Sequence, residues 1–191
     1  MNSQVTPLSY KEALNMPDSR EWKSAINAEI DQLQKYGVFK KIPFDPSKKT
    51  IPTKWIFTRK RSGAYKARLV ACGYRQSYGI DYYDTASPTP DRSLTNIVLA
   101  WAKTFNHKVK QLDVRTAFLN ACLSEPVYVQ PPPGFSNDGL LKSEKALYGL
   151  KQSPLQWYKT ISSYLISIGF VKSLTDRCLF KNDDIVLLLI V

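Results

Sequence analysis

The chain has 191 residues, 43 % of them hydrophobic, and a formal net charge of +11 from 27 Lys and Arg against 16 Asp and Glu. That length suits one large domain or two small ones, and that apolar fraction can bury an ordinary globular core. Three widely spaced cysteines (Cys72, Cys122 and Cys178) and His107 as the only histidine argue against a disulfide framework or a zinc site, and for a reducing, intracellular compartment. The basic balance suits a polyanionic partner, nucleic acid before membrane, with plain solubility as the bland alternative. Met1 to Tyr10 is polar and contains Pro7, so no signal peptide is expected.

Met1 to Pro17 reads as a flexible lead. Asp18 then stands as an N-cap with Glu21 three residues on, a capping-box pattern. Trp22, Ile26, Ile30 and Leu33 recur at helical spacing, and Gly37 stops the helix. Phe39 to Pro52 is punctuated by Pro43, Pro46 and Pro52 and is expected to be irregular.

Thr53 to Lys60 alternates, with Trp55 and Phe57 on one face and Lys54, Ile56 and Thr58 on the other. Arg61 to Ala64 is a turn, and Tyr65 to Tyr74 returns as a second strand. In the return strand Lys66, Arg68 and Val70 share a face opposite Ala67, Leu69 and Ala71. Two cations at i and i+2 on a strand can clamp a phosphate. Lys54, Arg59, Lys60, Arg61 and Arg75 surround them, with no acid between Pro46 and Ile80. This one-signed field favours nucleic-acid or nucleotide contact over a merely solvated edge.

Asp81 and Asp84 lie among tyrosines in a loop, where turn chemistry outweighs metal binding. Asp91 caps a helix whose apolar positions Leu94, Val98, Trp101 and Phe105 are expected to be core. Val109 to Val114 then reads as a strand ending near Asp113, a place for a metal ligand and equally for a helix N-cap. Val127 to Val129 is a short strand closed by Pro131 to Gly134, a proline run better read as a rigid loop than as a partner-binding segment. Asn137 to Lys142 is a turn. Ser153 caps a helix with Pro154 in its first position and Trp157, Ile161, Leu165 and Ile168 as its stripe, ended by Gly169. Asn182 to Asp184 turns into Ile185 to Val191, which is β-branched, reads as a buried strand and is far too short to span a bilayer.

Five stretches together resemble one family: Lys54 to Phe57; Tyr65 to Ala71; Gln111 to Asn120; Pro132 to Phe135; and Ala146 to Pro154 with Gln156 to Lys159. In order and spacing they are similar to the reverse transcriptase of copia-type LTR retrotransposons, from roughly Trp22 onward. The resemblance implies an α+β right-hand polymerase with an antiparallel sheet packed on helices. Residues 18–88 and 121–152 would be fingers, and 89–120 and 153–191 a partial palm. It implies template-directed DNA synthesis on a primer–template, from deoxynucleoside triphosphates, with two Mg²⁺ ions and no membrane. Compartments compatible with it are the cytoplasm, the nucleus or a virus-like particle. Gag or integrase contacts are not legible from the residues.

By the same resemblance, Asp113 matches the first catalytic carboxylate, and the Val114 carbonyl a second metal contact. Phe118 matches the bulky residue that would clash with a ribose 2′-hydroxyl, and Ala117 lets that ring approach the sugar. Lys66 and Arg68 match the cations that hold the triphosphate. Gly149, Lys151 and Gln152 fall in the loop that supports template and nucleotide, with Gln152 and Trp157 structural. The family's remaining two carboxylates sit in a Tyr-Val-Asp-Asp turn after an apolar strand like Ile185 to Val191, which here is the last of the sequence. Asp183-Asp184 precedes that strand and is not a substitute. Cys72, Ala121-Cys122 and Ser143-Glu144 also depart from the family pattern. The expectation is a polymerase by descent, with an incomplete palm and no activity in this polypeptide, or else a nucleic-acid-binding module or an aggregation-prone relic.

Overall fold

The structure is a computed structural model and describes residues 5–135 and 139–191. It is a mixed α+β chain with small sheets and four α-helices among the described residues. In the lead, Tyr10–Asn15 forms α1, capped by Ser9, whose hydroxyl accepts from the Glu12 N–H. Ala13 is fully buried, so this helix is held by packing rather than left loose. Ser19–Lys35 forms α2, and Trp22, Ile26 and Leu33 face the core as their spacing requires. The capping box does not form. Asp18 makes no side-chain cap bond, because its carboxylate instead accepts from the Tyr65 hydroxyl.

Phe39–Ile42 (β1) and Thr50–Ile51 (β2) lie in the stretch expected to be irregular. Both are short strands made by distant partners, which local pattern does not reveal. Thr53–Arg59 (β3) and Tyr65–Ala71 (β4) form the expected antiparallel hairpin, with Trp55 opposite Leu69 and Ile56 opposite Arg68. Gly63 takes φ +82° in the turn. Trp55, Phe57, Ala67, Leu69 and Ala71 are buried, while Lys54, Ile56 and Thr58 are exposed. The Trp22 ring meets Phe57 and Tyr65 edge-on at 5.4 and 4.6 Å.

Arg92–Thr104 forms α3, and Asp91 caps it by accepting from the Ser93 N–H at 2.8 Å. The expected core face is not covered. Among the described residues only Ala102 of this helix is buried, while Ile97 and Phe105 are each 63 % exposed and Trp101 is 41 % exposed. Residues 106–115 form no strand, and Leu112 is 85 % exposed. A strand needs a hydrogen-bonding neighbour, and no described strand pairs with this stretch.

Cys122–Val129 (β5) is longer than the three residues expected. Leu140–Lys145 (β6) takes over the second half of the expected turn, whose residues 137 and 138 lie outside the described residues. The four-stranded sheet runs β1-β6-β5-β2, with the β2–β5 pairing parallel. The proline run is a docked loop, since the Trp55 indole N–H donates to the Pro133 carbonyl at 3.0 Å and Pro132 is fully buried. Ser153–Ser167 (α4) carries the expected stripe, except that Ile168 is half exposed. Ser153 does not cap it, because its hydroxyl donates to the Leu147 carbonyl at 2.6 Å.

Val171–Lys172 (β7), Leu179–Lys181 (β8) and Val186–Leu188 (β9) make a small antiparallel sheet. The final strand is shorter and less buried than its β-branched sequence suggests, with Ile185 and Ile190 more than half exposed. No helix among the described residues is long and apolar enough to cross a membrane.

Candidate functional site

The hairpin and the Ala146–Pro154 segment meet at the end of β4. The Ala71 N–H donates to the Tyr148 carbonyl at 2.8 Å. Gly149 follows with φ +89°, and a Cβ there would stand 2.1 Å from the Ala71 carbonyl oxygen. Gly73 lies against the other side of that contact, where a Cβ would stand 2.0 Å from the Gly149 oxygen. Backbone approaches this close admit only glycine.

Above this junction the Arg68 guanidinium lies over the Tyr148 ring, 4.8 Å from its centroid. The Tyr148 ring in turn packs on Phe118 at 4.9 Å. Phe118 and Ala117 belong to a single 3₁₀ turn, Ala117–Asn120, which packs against Ala121, Ala146 and Trp157. Cation, ring and tilted ring thus form one line of contacts joining the hairpin to the turn after Asp113. Thr116, which enters that turn, holds φ +53° and ψ 37°, a left-handed conformation that costs a β-branched residue energy.

Lys66 stands on the same face of β4 as Arg68. Burial pushes its ammonium below the usual lysine range, and the charges of Arg68 and Lys60 add to this. The negative charges of Glu29 and Asp113 oppose that shift. Asp113 itself is exposed in the irregular segment, and neither a strand end nor a helix N-cap holds it.

Lys151 is held at both ends. Its backbone N–H donates to Gln76 Oε1 at 2.8 Å, and its ammonium donates to the Tyr82 hydroxyl at 3.0 Å while lying over that ring. Buried Gln76 donates to Gln152 Oε1 at 2.9 Å, and Gln152 donates to the Asp81 carbonyl at 3.1 Å. Asp81 accepts from the Ser77 N–H at 2.6 Å and pairs with Lys49, while Asp84 accepts from the Ala86 N–H. Both acids do turn chemistry. Asp183 and Asp184 sit in the exposed β8–β9 turn, where Asn182 Oδ1 accepts from the Asp184 and Ile185 N–H groups.

The structure therefore joins Lys66, Arg68, Phe118 and Gly149 to Gln152 into one region, while Asp113 stays exposed in the irregular segment before it. Sequence reading missed three members. Tyr148 lay inside a quoted motif without a role, Gln76 was not singled out, and Glu29 interrupts the apolar stripe of α2.

Comparison with known proteins decides the lineage. Residues 36–191 match the sequence profile of the family described as reverse transcriptase (RNA-dependent DNA polymerase). The chain belongs to the reverse transcriptase family. It is 37 % identical over 199 residues to a retrovirus-related Pol polyprotein from transposon TNT 1-94 of Nicotiana tabacum, across 97 % of this chain and 15 % of that protein. It is 39 % identical over 191 residues to the corresponding polyprotein from transposon RE1 of Arabidopsis thaliana, across 93 % of this chain and 13 % of that protein. It is 36 % identical over 200 residues to a truncated transposon Ty1-A Gag-Pol polyprotein of Saccharomyces cerevisiae, across 97 % of this chain and 16 % of that protein. This reverse transcriptase domain thus spans only a small part of the retrotransposon polyproteins it matches, and the copia-type resemblance read from its motifs holds.

Proposed function

We propose that this reverse transcriptase domain binds a primer–template and a deoxynucleoside triphosphate as the fingers and part of the palm of a right-hand polymerase. Residues 18–88 and 121–152 serve as fingers, and 89–120 and 153–191 as partial palm. The observation that carries this reading is the contact of Arg68 with Tyr148, and of Tyr148 with Phe118, on the face of β4 that also carries Lys66. It puts two phosphate-binding cations next to a bulky ring, as recognition of a deoxynucleotide requires. Lys66 and Arg68 take the triphosphate by charge-assisted hydrogen bonds. Phe118 lies beneath the sugar and rejects a 2′-hydroxyl, with Ala117 leaving room for the ring. Lys151, with Gly149 and Gln152 shaping its loop, supports the template backbone.

The family reaction uses two divalent cations, which demand several carboxylate oxygens. Asp113 and the Val114 carbonyl supply a first ligand set. Among the described residues no three His, Cys, Asp or Glu side chains come together, so the residues present do not by themselves fit a two-metal centre. We infer that the 191-residue polypeptide binds its substrates without extending a primer. The one-signed field of the hairpin favours one other reading, a nucleic-acid-binding module, and the same assay separates the two.

That assay is primer extension with Mg²⁺, run on this polypeptide beside a longer one carrying a Tyr-Val-Asp-Asp turn after the last strand, each with and without Asp113→Asn. The expected result is extension by the longer form alone, abolished by Asp113→Asn. Extension that survives Asp113→Asn would remove Asp113 from the site. A longer form that binds primer–template without extending it would leave only the binding module.

A further inference from the structure

Glu29 stands where the pattern of α2 calls for an apolar residue. Trp22, Ile26 and Leu33 define the buried face, and Glu29 falls between Ile26 and Leu33 on that same face. A carboxylate there loses water, and burial accordingly raises its pKa above the usual glutamate value. Something must offset that cost.

What faces Glu29 is the free edge of β4. β3 pairs with one side of this strand, and the other side of a two-stranded ribbon is left with unpaired N–H groups. Two of them are taken here. The Ala71 N–H goes to the Tyr148 carbonyl, and the Leu69 N–H donates to Glu29 Oε1 at 3.2 Å. Leu69 directly follows Arg68, and the charges of both Arg68 and Lys66 act on the Glu29 carboxylate. One side chain of α2 therefore holds the backbone of the strand that presents both cations, and lies beneath their charges.

We propose that Glu29 is a positioning residue of the phosphate site: by accepting the Leu69 N–H on the unpaired edge of β4 it fixes where Lys66 and Arg68 stand. It touches neither phosphate nor sugar, and it acts through the strand. The proposal rests on the reading of Lys66 and Arg68 as triphosphate ligands. Its physical content is that an acceptor, rather than a negative charge, is what position 29 must supply. The charge alone would oppose anion binding.

Three variants separate these contributions. Glu29→Gln keeps an acceptor of the same reach and removes the charge. Glu29→Ala removes both. Glu29→Asp keeps the charge and draws the acceptor back by one methylene. Two readouts on the intact 191-residue polypeptide are amide hydrogen exchange at Leu69 and titration with inorganic triphosphate at low salt. Leu69 should keep its protection in Glu29→Gln and exchange about tenfold faster or more in Glu29→Ala and Glu29→Asp, with the β3-paired amides of β4 unchanged. Triphosphate should bind Glu29→Ala about fivefold more weakly than Glu29→Gln, two variants of equal charge. Should Glu29→Ala fail to fold, Glu29→Asp against the parent makes the same comparison at equal charge, with the same sign. Equal triphosphate affinity in Glu29→Gln and Glu29→Ala, or an unchanged Leu69 exchange rate, overturns the proposal while leaving the phosphate reading intact. A parent chain that binds no triphosphate, like its Lys66→Glu/Arg68→Glu variant, overturns both.

Discussion

The β3–β4 hairpin and the stretch from α3 to Arg115 are both rich in aromatic and apolar residues, yet they fare differently. The hairpin lays Trp55, Phe57, Ala67, Leu69 and Ala71 into the core that it shares with α1 and α2, and every one of them is buried. Helix α3 and the following segment present Ile97, Leu99, Trp101, Phe105, Val109 and Leu112 to solvent. Trp101 stacks on His107 at 4.4 Å and Phe105 lies beside it at 5.9 Å, so this second region packs largely on itself. The difference shows that an alternating or helical pattern specifies a face, while only a partner element decides whether that face is covered. Lys66 and Arg68, proposed as phosphate ligands, sit on the region that has its partner, and Asp113, proposed as a metal ligand, sits on the region that does not.

The largest expected effects set the two regions directly against each other. Trp22→Ala removes a fully buried ring that meets Phe57 and Tyr65, and should cost about 3–5 kcal/mol by chemical denaturation. Trp101→Ala removes a ring of the same size from the uncovered helix and should change stability by no more than about 1 kcal/mol. Equal losses would mean that α3 is covered after all. Next comes the junction that joins the hairpin to this line of contacts between Arg68, Tyr148 and Phe118. Gly149→Ala must place a Cβ against the Ala71 carbonyl from a left-handed backbone, and should cost at least about 2 kcal/mol. It should also reduce triphosphate binding, because it separates Arg68 from Tyr148. A neutral substitution there would show that the loop is free to shift.

The smallest effect lies in the four-stranded sheet and depends on pH. Lys40 and Lys142 hold the Glu144 carboxyl down at about 2, against an ordinary value of 4.5. Its folded value is depressed, so its contribution is present above pH 4.5 and is lost as the pH falls through about 2. The group is exposed and the effect is small. The melting temperature of the parent should fall between those pH values more than that of Glu144→Gln, and parallel melting curves would remove the pair from the account.

What was legible in the sequence follows the same division. The hairpin, its two faces, the amphipathic α2, the Asp91 cap and the stripe of α4 rest on periodicities of two and 3.6, which are local. β1, β2 and β6 rest on pairing between distant residues, and the pattern around Lys40 or Leu141 carries no trace of it. Asp18 and Ser153 were legible as caps, yet Tyr65 and the Leu147 carbonyl compete for their side chains and win. The candidate site was legible as separate motifs, because Lys66, Arg68, Phe118 and Gly149 each lie in one. Their convergence was not, because Tyr148 makes it, with its carbonyl on β4 and its ring between Arg68 and Phe118. Glu29 was readable only as an interruption, a charge on an apolar face whose explanation lies on another strand.

The central claim is that the hairpin's paired cations meet a polyanion. It is tested most directly by the salt dependence of primer–template binding, measured for the parent and for Lys66→Glu/Arg68→Glu. Both side chains lie on the face of β4 away from its buried Ala67, Leu69 and Ala71, but the double variant also loses the Arg68–Tyr148 contact and the two positive charges acting on Glu29, so its melting curve is measured alongside and binding is compared where both proteins are folded. The parent should show a steep fall of log affinity against log salt, and the variant a slope shallower by roughly two, with affinity at low salt down more than about tenfold. A variant that keeps both the slope and the affinity of the parent would contradict that claim.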